Sequence, residues 1–274
     1  MKTRDIFAFH GAAIPALIAT SSISALGFIW PFLLPHEGSR PQWIFALALP
    51  FALILLYISV SNQNLDSKSI ALLAVLAALI AALRPLGTGA VGIEPMWFLL
   101  ILSARVFGPS FGFLLGALSM TLSALLTGGL GPWFAYQAFA AAWIGLGVAL
   151  IPRRVRGWLE LLLLAIYGVI AAAFFGFIMD LQFWPWVLGA DTQLSYIPGG
   201  AFNENFSRFL SYHMLSAMAW DVPRAIFTAT LIVIAGKPIL HTLRRAYTRA
   251  AFLAPIEFKR ATLIAREKAG REVR

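Results

Sequence analysis

Apolar blocks of roughly 17 to 25 residues, each the length one helix needs to cross ~30 Å of hydrocarbon, follow one another along the chain. Proline, glycine or charged clusters separate them, so the chain reads as a series of membrane-spanning helices. The spans fall near 12–34, 42–61, 68–84, 91–107, 109–127, 132–151, 157–179 and 214–236, which predicts an all-α membrane protein of about eight transmembrane helices. Composition points the same way. The chain is 60% hydrophobic and 12% charged, against about 25% charged in a soluble domain. The block from Ala12 to Leu34 is too long for a signal-peptide core and precedes no small-residue cleavage pattern, so it reads as a helix of the mature protein.

Charge gives an orientation. Eight spans put both termini on one side, and Lys2, Arg4, Lys68, Arg105, Arg153, Arg154 and Arg156 share it, with Arg40, Arg84 and Arg208 opposite. The excess of basic residues predicts a multi-pass protein of a prokaryotic cell membrane with both termini in the cytoplasm. It also accounts for the net charge of +9 without nucleic acid, because most of the basic residues lie in short loops and in the tail from Lys237.

Several chemistries lack their residues. There is no cysteine, hence no disulfide, thiolate metal site or cysteine nucleophile. No Walker A, HExxH or GxSxG sequence occurs, and the reading is of a non-enzyme without metal or cofactor. The ionisable residues of the apolar segments are few and lean toward the external side: Arg84, Glu94, Asp180, Asp221 and Arg224. Such groups are costly in a bilayer and mark function or pair with one another. Asp221 and Arg224 are three apart on one helical face, so mutual compensation also accounts for them.

Candidate binding groups gather at the same side. The turn Thr127-Gly128-Gly129-Leu130-Gly131-Pro132-Trp133 brings irregular backbone to a helix end, and such backbone is tolerated where it lines a cavity. Trp133 and Gln137 are four apart, placing an aromatic face above an amide. Residues from Asp180 to His213 form a long external connection containing Trp184, Tyr196, Asn205 and Phe206. It reads as a lid over a ligand or as an interfacial aromatic belt. Small residues recur at four-residue spacing: Gly108, Gly112 and Gly116; Gly168, Ala172 and Gly176; and Ala74, Ala78 and Ala82, with Ala77 and Ala81 beside the last set. All permit close helix approach. The alanine stripe also suits a docking surface for another membrane protein.

The segment from Ala82 to Pro152, with Arg84-Pro85, Gly108-Pro109-Ser110-Phe111-Gly112, Gly128-Gly129-Leu130-Gly131-Pro132-Trp133 and Gln137, resembles the substrate-binding (S) component of energy-coupling-factor (ECF) vitamin transporters. So do Trp220-Asp221-Val222-Pro223-Arg224-Ala225 and Gly236-Lys237-Pro238-Ile239-Leu240. The resemblance implies a six-helix core over 65–240; the two helices read in 1–64 depart from that six-helix pattern, and a basic tail over 241–274 follows the core. It implies binding of a vitamin, a cobalamin-type corrinoid being the favoured expectation, for uptake driven by a transmembrane scaffold and two ATPase subunits. The expected ligand contacts are Gly128, Gly129, Trp133, Gln137, Asp180, Trp184, Tyr196, Asn205 and Asp221, and the expected docking face is Ala74, Ala78 and Ala82. A stand-alone secondary carrier and an intramembrane lipid-modifying enzyme are the competing readings. The first lacks mid-membrane charge, while the second has Asp180, Glu94 or His213 as candidate acid or base.

Overall fold

A glycine-proline pair sets a sharp reversal in the bundle. In the computed structural model, which describes residues 9, 13–33, 67–87, 91–131, 133–189 and 192–249, Gly108 has φ 107° and ends one helix while starting the next, with Pro109 in its first turn. Proline costs nothing there, because the first N–H groups of a helix have no internal partner. The helices are α1 Ala13–Phe28, α2 Trp30–Leu33, α3 Ser67–Leu83, α4 Met96–Phe107, α5 Pro109–Thr127, α6 Phe134–Gly147, α7 Trp158–Val187, α8 Phe202–Tyr212 and α9 Met218–Arg249. A 3-10 turn, Arg84–Gly87, follows α3, and a π turn, His213–Ala217, joins α8 to α9. No strand occurs among the described residues.

Among the described residues, four segments are long and apolar enough to cross a membrane: Ser67–Gly87, Pro109–Thr127, Trp158–Val187 and Met218–Thr248. Shorter apolar helices, Ala13–Phe28, Met96–Phe107 and Phe134–Leu150, complete the bundle. This is the expected all-α membrane architecture. The predicted helix over 42–61 and the tail beyond 249 lie outside the described residues. α9 continues to Arg249, past the expected end near 236. The connection expected from Asp180 to His213 begins only at Leu188, since α7 runs to Val187, and it contains α8.

α4 is buried on nearly every side, with Trp97, Leu100, Ile101, Leu102, Ser103, Ala104 and Phe107 inside, and forms the axis of the bundle. α3, α5 and α6 pack along one side of it, α7 and α9 along the other. Small residues set both close approaches. A Cβ added at Gly112 would lie 2.5 Å from the carbonyl oxygen of Gly145, and one at Gly116 would strike the backbone of Ala141, so α5 and α6 meet through their main chains. Gly108 belongs to the cap and not to this contact face. On the other side Gly168 rests on Thr228 and Ile232 of α9.

The alanine stripe resolves into two faces. Ala77 and Ala81 are fully buried, whereas Ala74, Ala78 and Ala82 are exposed beside the outward-facing Val75 and Leu79. α1 leaves this face alone, packing instead on α6 and α7, with the Trp143 indole donating to the Ser21 hydroxyl at 3.2 Å.

Candidate functional site

Two short turns and four helices bring their polar groups to one end of the bundle. Gly92, at φ 70°, lies so close to α9 that a Cβ would strike the Trp220 carbonyl oxygen and the Arg224 nitrogen. Only glycine allows this approach, and it delivers Glu94 to Arg224. Arg224 Nε donates to Glu94 Oε2 at 3.0 Å and Nη1 to Asp221 Oδ1 at 2.6 Å. The Trp97 indole also donates to Glu94 Oε2, and the guanidinium sits 5.1 Å from the Phe175 ring centre. The pairing of Asp221 with Arg224 is therefore real, but it is part of a larger assembly.

α7 supplies the wall behind it. A Cβ at Gly176 would collide with the Asp221 carboxylate, so glycine is what admits this group between α7 and α9. Asp221 is 4% exposed, and its Oδ2 has no hydrogen-bond partner. One turn along α7, Asp180 meets His213 Nδ1 at 2.9 Å, and Phe177 and Phe209 hold the imidazole edge-on and face-on. On the other side of the end, Arg84 Nη2 donates to Gln137 Oε1 at 2.7 Å and Nη1 reaches Ser123 Oγ at 3.4 Å. Arg84 also feels the charge of Glu94. Two guanidiniums, three carboxylates and the His213 imidazole share this end.

Over it lies an aromatic cap. Trp184 is fully buried and donates to the Leu194 carbonyl at 2.7 Å, while the Tyr196 hydroxyl donates to the Pro31 carbonyl at 2.8 Å. Burial raises the pKa of the Tyr196 phenol, keeping it a donor. Asn205 is occupied on both sides, accepting from the Ile197 N–H at 2.9 Å and donating to its carbonyl at 2.8 Å. Leu181, Trp184, Phe209 and Tyr212 form the core of the cap, with Phe32, Tyr196 and Phe206 against it. The aromatic residues fill this space with one another instead of lining an open vestibule. α2 is part of it, since Trp30 stacks on Trp186 at 5.3 Å.

Of the expected contacts, Gln137, Asp180 and Asp221 enter the charged assembly directly. Gly128 caps α5 in the left-handed conformation with open space around it, and Gly129 follows, its N–H donating to the Ala124 carbonyl. Trp133 is 44% exposed at the start of α6. Trp184, Tyr196 and Asn205 have their polar groups taken up within the cap. Sequence reasoning missed Trp97, Ser123 and Phe175, and read Gly176 only as a packing glycine. Trp97 had a signal, being three residues beyond Glu94.

It also missed the opposite end. Ionisable groups do not all lean one way: Glu160, 1% exposed, accepts from Arg105 Nε at 2.7 Å and from Arg244 Nη2 at 2.6 and 2.8 Å, with Arg156 at 3.3 Å. Arg105 also donates to the carbonyls of Ile151, Pro152 and Val155. A lone glutamate at the start of an apolar run was the available clue.

These features define a multi-pass membrane protein with a cluster of paired charges under an aromatic cap at one end. The family model described as "ECF-type riboflavin transporter, S component" matches residues 64–245, well over half of the chain, and the chain belongs to that family. Neither curated proteins nor solved structures gave a match. It is thus a substrate-binding membrane subunit for vitamin uptake and not an enzyme, and the family implies partnership with an ECF module.

Proposed function

We propose that this subunit captures riboflavin, or a closely similar flat aromatic vitamin, at the end bearing Arg84, Glu94 and Arg224, and that this end faces outward with both termini in the cytoplasm. The observation that carries the reading is the convergence of donors and acceptors from six elements beside Trp97 and Phe175. An isoalloxazine ring presents alternating donors and acceptors along one edge and two apolar faces, and its ribityl chain adds hydroxyls. Arg84 and Gln137 offer the first kind of partner, while Trp133 on the exposed rim supplies an aromatic face. The family description names riboflavin for the proteins it groups.

The corrinoid expectation has less support. The cap is packed with its own side chains, and His213, an imidazole of the type cobalt coordinates, is 5% exposed and bonded to Asp180. Nothing among the described residues favours so bulky a ligand. Uptake would proceed by handing the loaded subunit to the scaffold and ATPases through Ala74, Ala78 and Ala82, whose exposure on α3 supports that face for docking.

Riboflavin fluorescence titrated with purified protein tests the substrate. Saturable quenching that cobalamin does not compete away is the expected result. Cobalamin binding without any riboflavin binding would overturn the substrate while leaving the family intact.

A further inference from the structure

The end of the bundle opposite the polar assembly carries a groove that vitamin capture does not use. It lies between the start of α7 and the second half of α9, encloses about 700 Å³, and is lined by Trp158, Glu160, Leu161, Lys237, His241 and Arg244 among others. We propose that this groove holds the headgroup of an anionic phospholipid, with phosphate against Lys237 and Arg244.

Charge is the first argument. Glu160 is one negative group faced by Arg105, Arg156 and Arg244, so this corner carries two surplus positive charges before Lys237 is counted. Lys237 is exposed and makes no ion pair among the described residues. His241 and Arg244 follow it at four and seven residues, which puts the three on one face of α9, aligned along the groove. Arg244 Nε is buried without a hydrogen-bond partner, although its Nη2 is held by Glu160. A phosphate group complements this surplus, and the phosphodiester of an anionic headgroup brings one negative charge to it without needing a counterion of its own.

Depth is the second. α7 and α9 are both long enough to cross a membrane, and a groove at their shared end lies where headgroups lie. Trp158, 66% exposed at the first position of α7, has the amphipathic ring that settles at this level. Immediately inward, Leu159, Leu162 and Ile166 on α7 and Ile234 on α9 are exposed apolar side chains, a surface for acyl chains. A soluble anion would gain nothing from them. The exposed alanines of α3 lie elsewhere, since α3 packs on α4 and α5, so lipid and scaffold do not compete.

The test uses the full chain in nanodiscs of one part phosphatidylglycerol to four of phosphatidylcholine, followed by extraction and counting of retained lipid. Phosphatidylglycerol should be enriched several-fold over the bulk ratio. Lys237→Gln should lower that enrichment roughly fivefold, the scale for one cation near an anionic surface, and Lys237→Glu should remove it. Because Lys237 is exposed, unchanged thermal unfolding of both variants checks that the fold persists. Arg245→Gln, on the neighbouring face of α9, should leave enrichment as it was. An equal loss from Arg245→Gln would mean a diffuse basic surface and would overturn the site. Displacement of the lipid by millimolar inorganic phosphate would overturn the lipid in favour of a free anion.

Discussion

Arg224 is the residue whose removal most sharply separates packing from binding. Its guanidinium neutralises Asp221 at 2.6 Å and Glu94 at 3.0 Å. Glu94, with 27% of its side chain exposed, can recover water, but Asp221, with 5%, cannot. Removing one partner of a buried pair costs about 3–5 kcal/mol, because the other charge is left uncompensated. Arg224→Met should therefore destabilise strongly, with most of the loss residing on Asp221. Asp221→Asn alone should cost less, about 1–2 kcal/mol, since Arg224 keeps Glu94 and a charge-assisted bond is worth ~1.5–3 kcal/mol. Once the carboxylate is neutralised, Arg224→Met has less to destroy, and the double variant should be more stable than Arg224→Met. A coupling of about 1.5–3 kcal/mol is expected from the cycle. Thermal unfolding in detergent ranks the four proteins, and denaturant unfolding supplies the energies. Riboflavin titration of the same proteins then asks the functional question. If the assembly binds ligand, the double variant regains stability but not affinity. A coupling below about 0.5 kcal/mol would refute the electrostatic argument, and full affinity in the double variant would refute the binding role.

Gly176→Ala should weaken both folding and riboflavin binding, because its methyl group takes the place of the Asp221 carboxylate; an unaltered melting temperature would show that α7 and α9 can part at little cost. On α3, Ala78→Trp should abolish uptake in cells and leave binding by the isolated subunit intact, while Ala77→Trp, buried at 0% exposure, should prevent folding. Normal uptake with Ala78→Trp would clear that face of any docking role. Trp133→Ala should raise the riboflavin dissociation constant by the equivalent of roughly 1–3 kcal/mol if the indole stacks on the ring; an unchanged constant in a folded variant returns Trp133 to the membrane interface. Glu160→Gln leaves Arg105, Arg156 and Arg244 facing one another, and a loss of about 3 kcal/mol or more in stability is expected on unfolding.

Helix positions were legible because length and apolarity are set residue by residue. Pro109–Thr127 coincides with the expected span, its boundaries written by Gly108-Pro109 and Gly128. The connection after Asp180 was harder to read. α7 continues through Pro185 to Val187, as its apolar residues find partners in α8 and in α2, the latter 152 positions away where Trp30 meets Gln182. Choosing between Ala78 and Ala77 required the same distant information. A stripe on one helix states that something can approach closely, and only the position of α4 and α5 decides which alanines the bundle itself consumes.

Partnership among charges was the least legible property, and the two ends of the bundle show why. Asp221 and Arg224 advertise their pairing by a spacing of three on one helix. Glu94 joins them across 130 positions, through a close approach that depends on Gly92, and nothing local to Glu94 announces it. At the other end Arg105 counted in the sequence only as one more basic residue of a loop, yet it is 55 positions from Glu160 and its side chain is 3% exposed. A charge that satisfies the orientation rule can thus also be a buried structural tie. In a bilayer the distinction has consequences, because an arginine held by a carboxylate and three carbonyls no longer contributes freely to the surface charge. Lys237, which makes no ion pair among the described residues, still does.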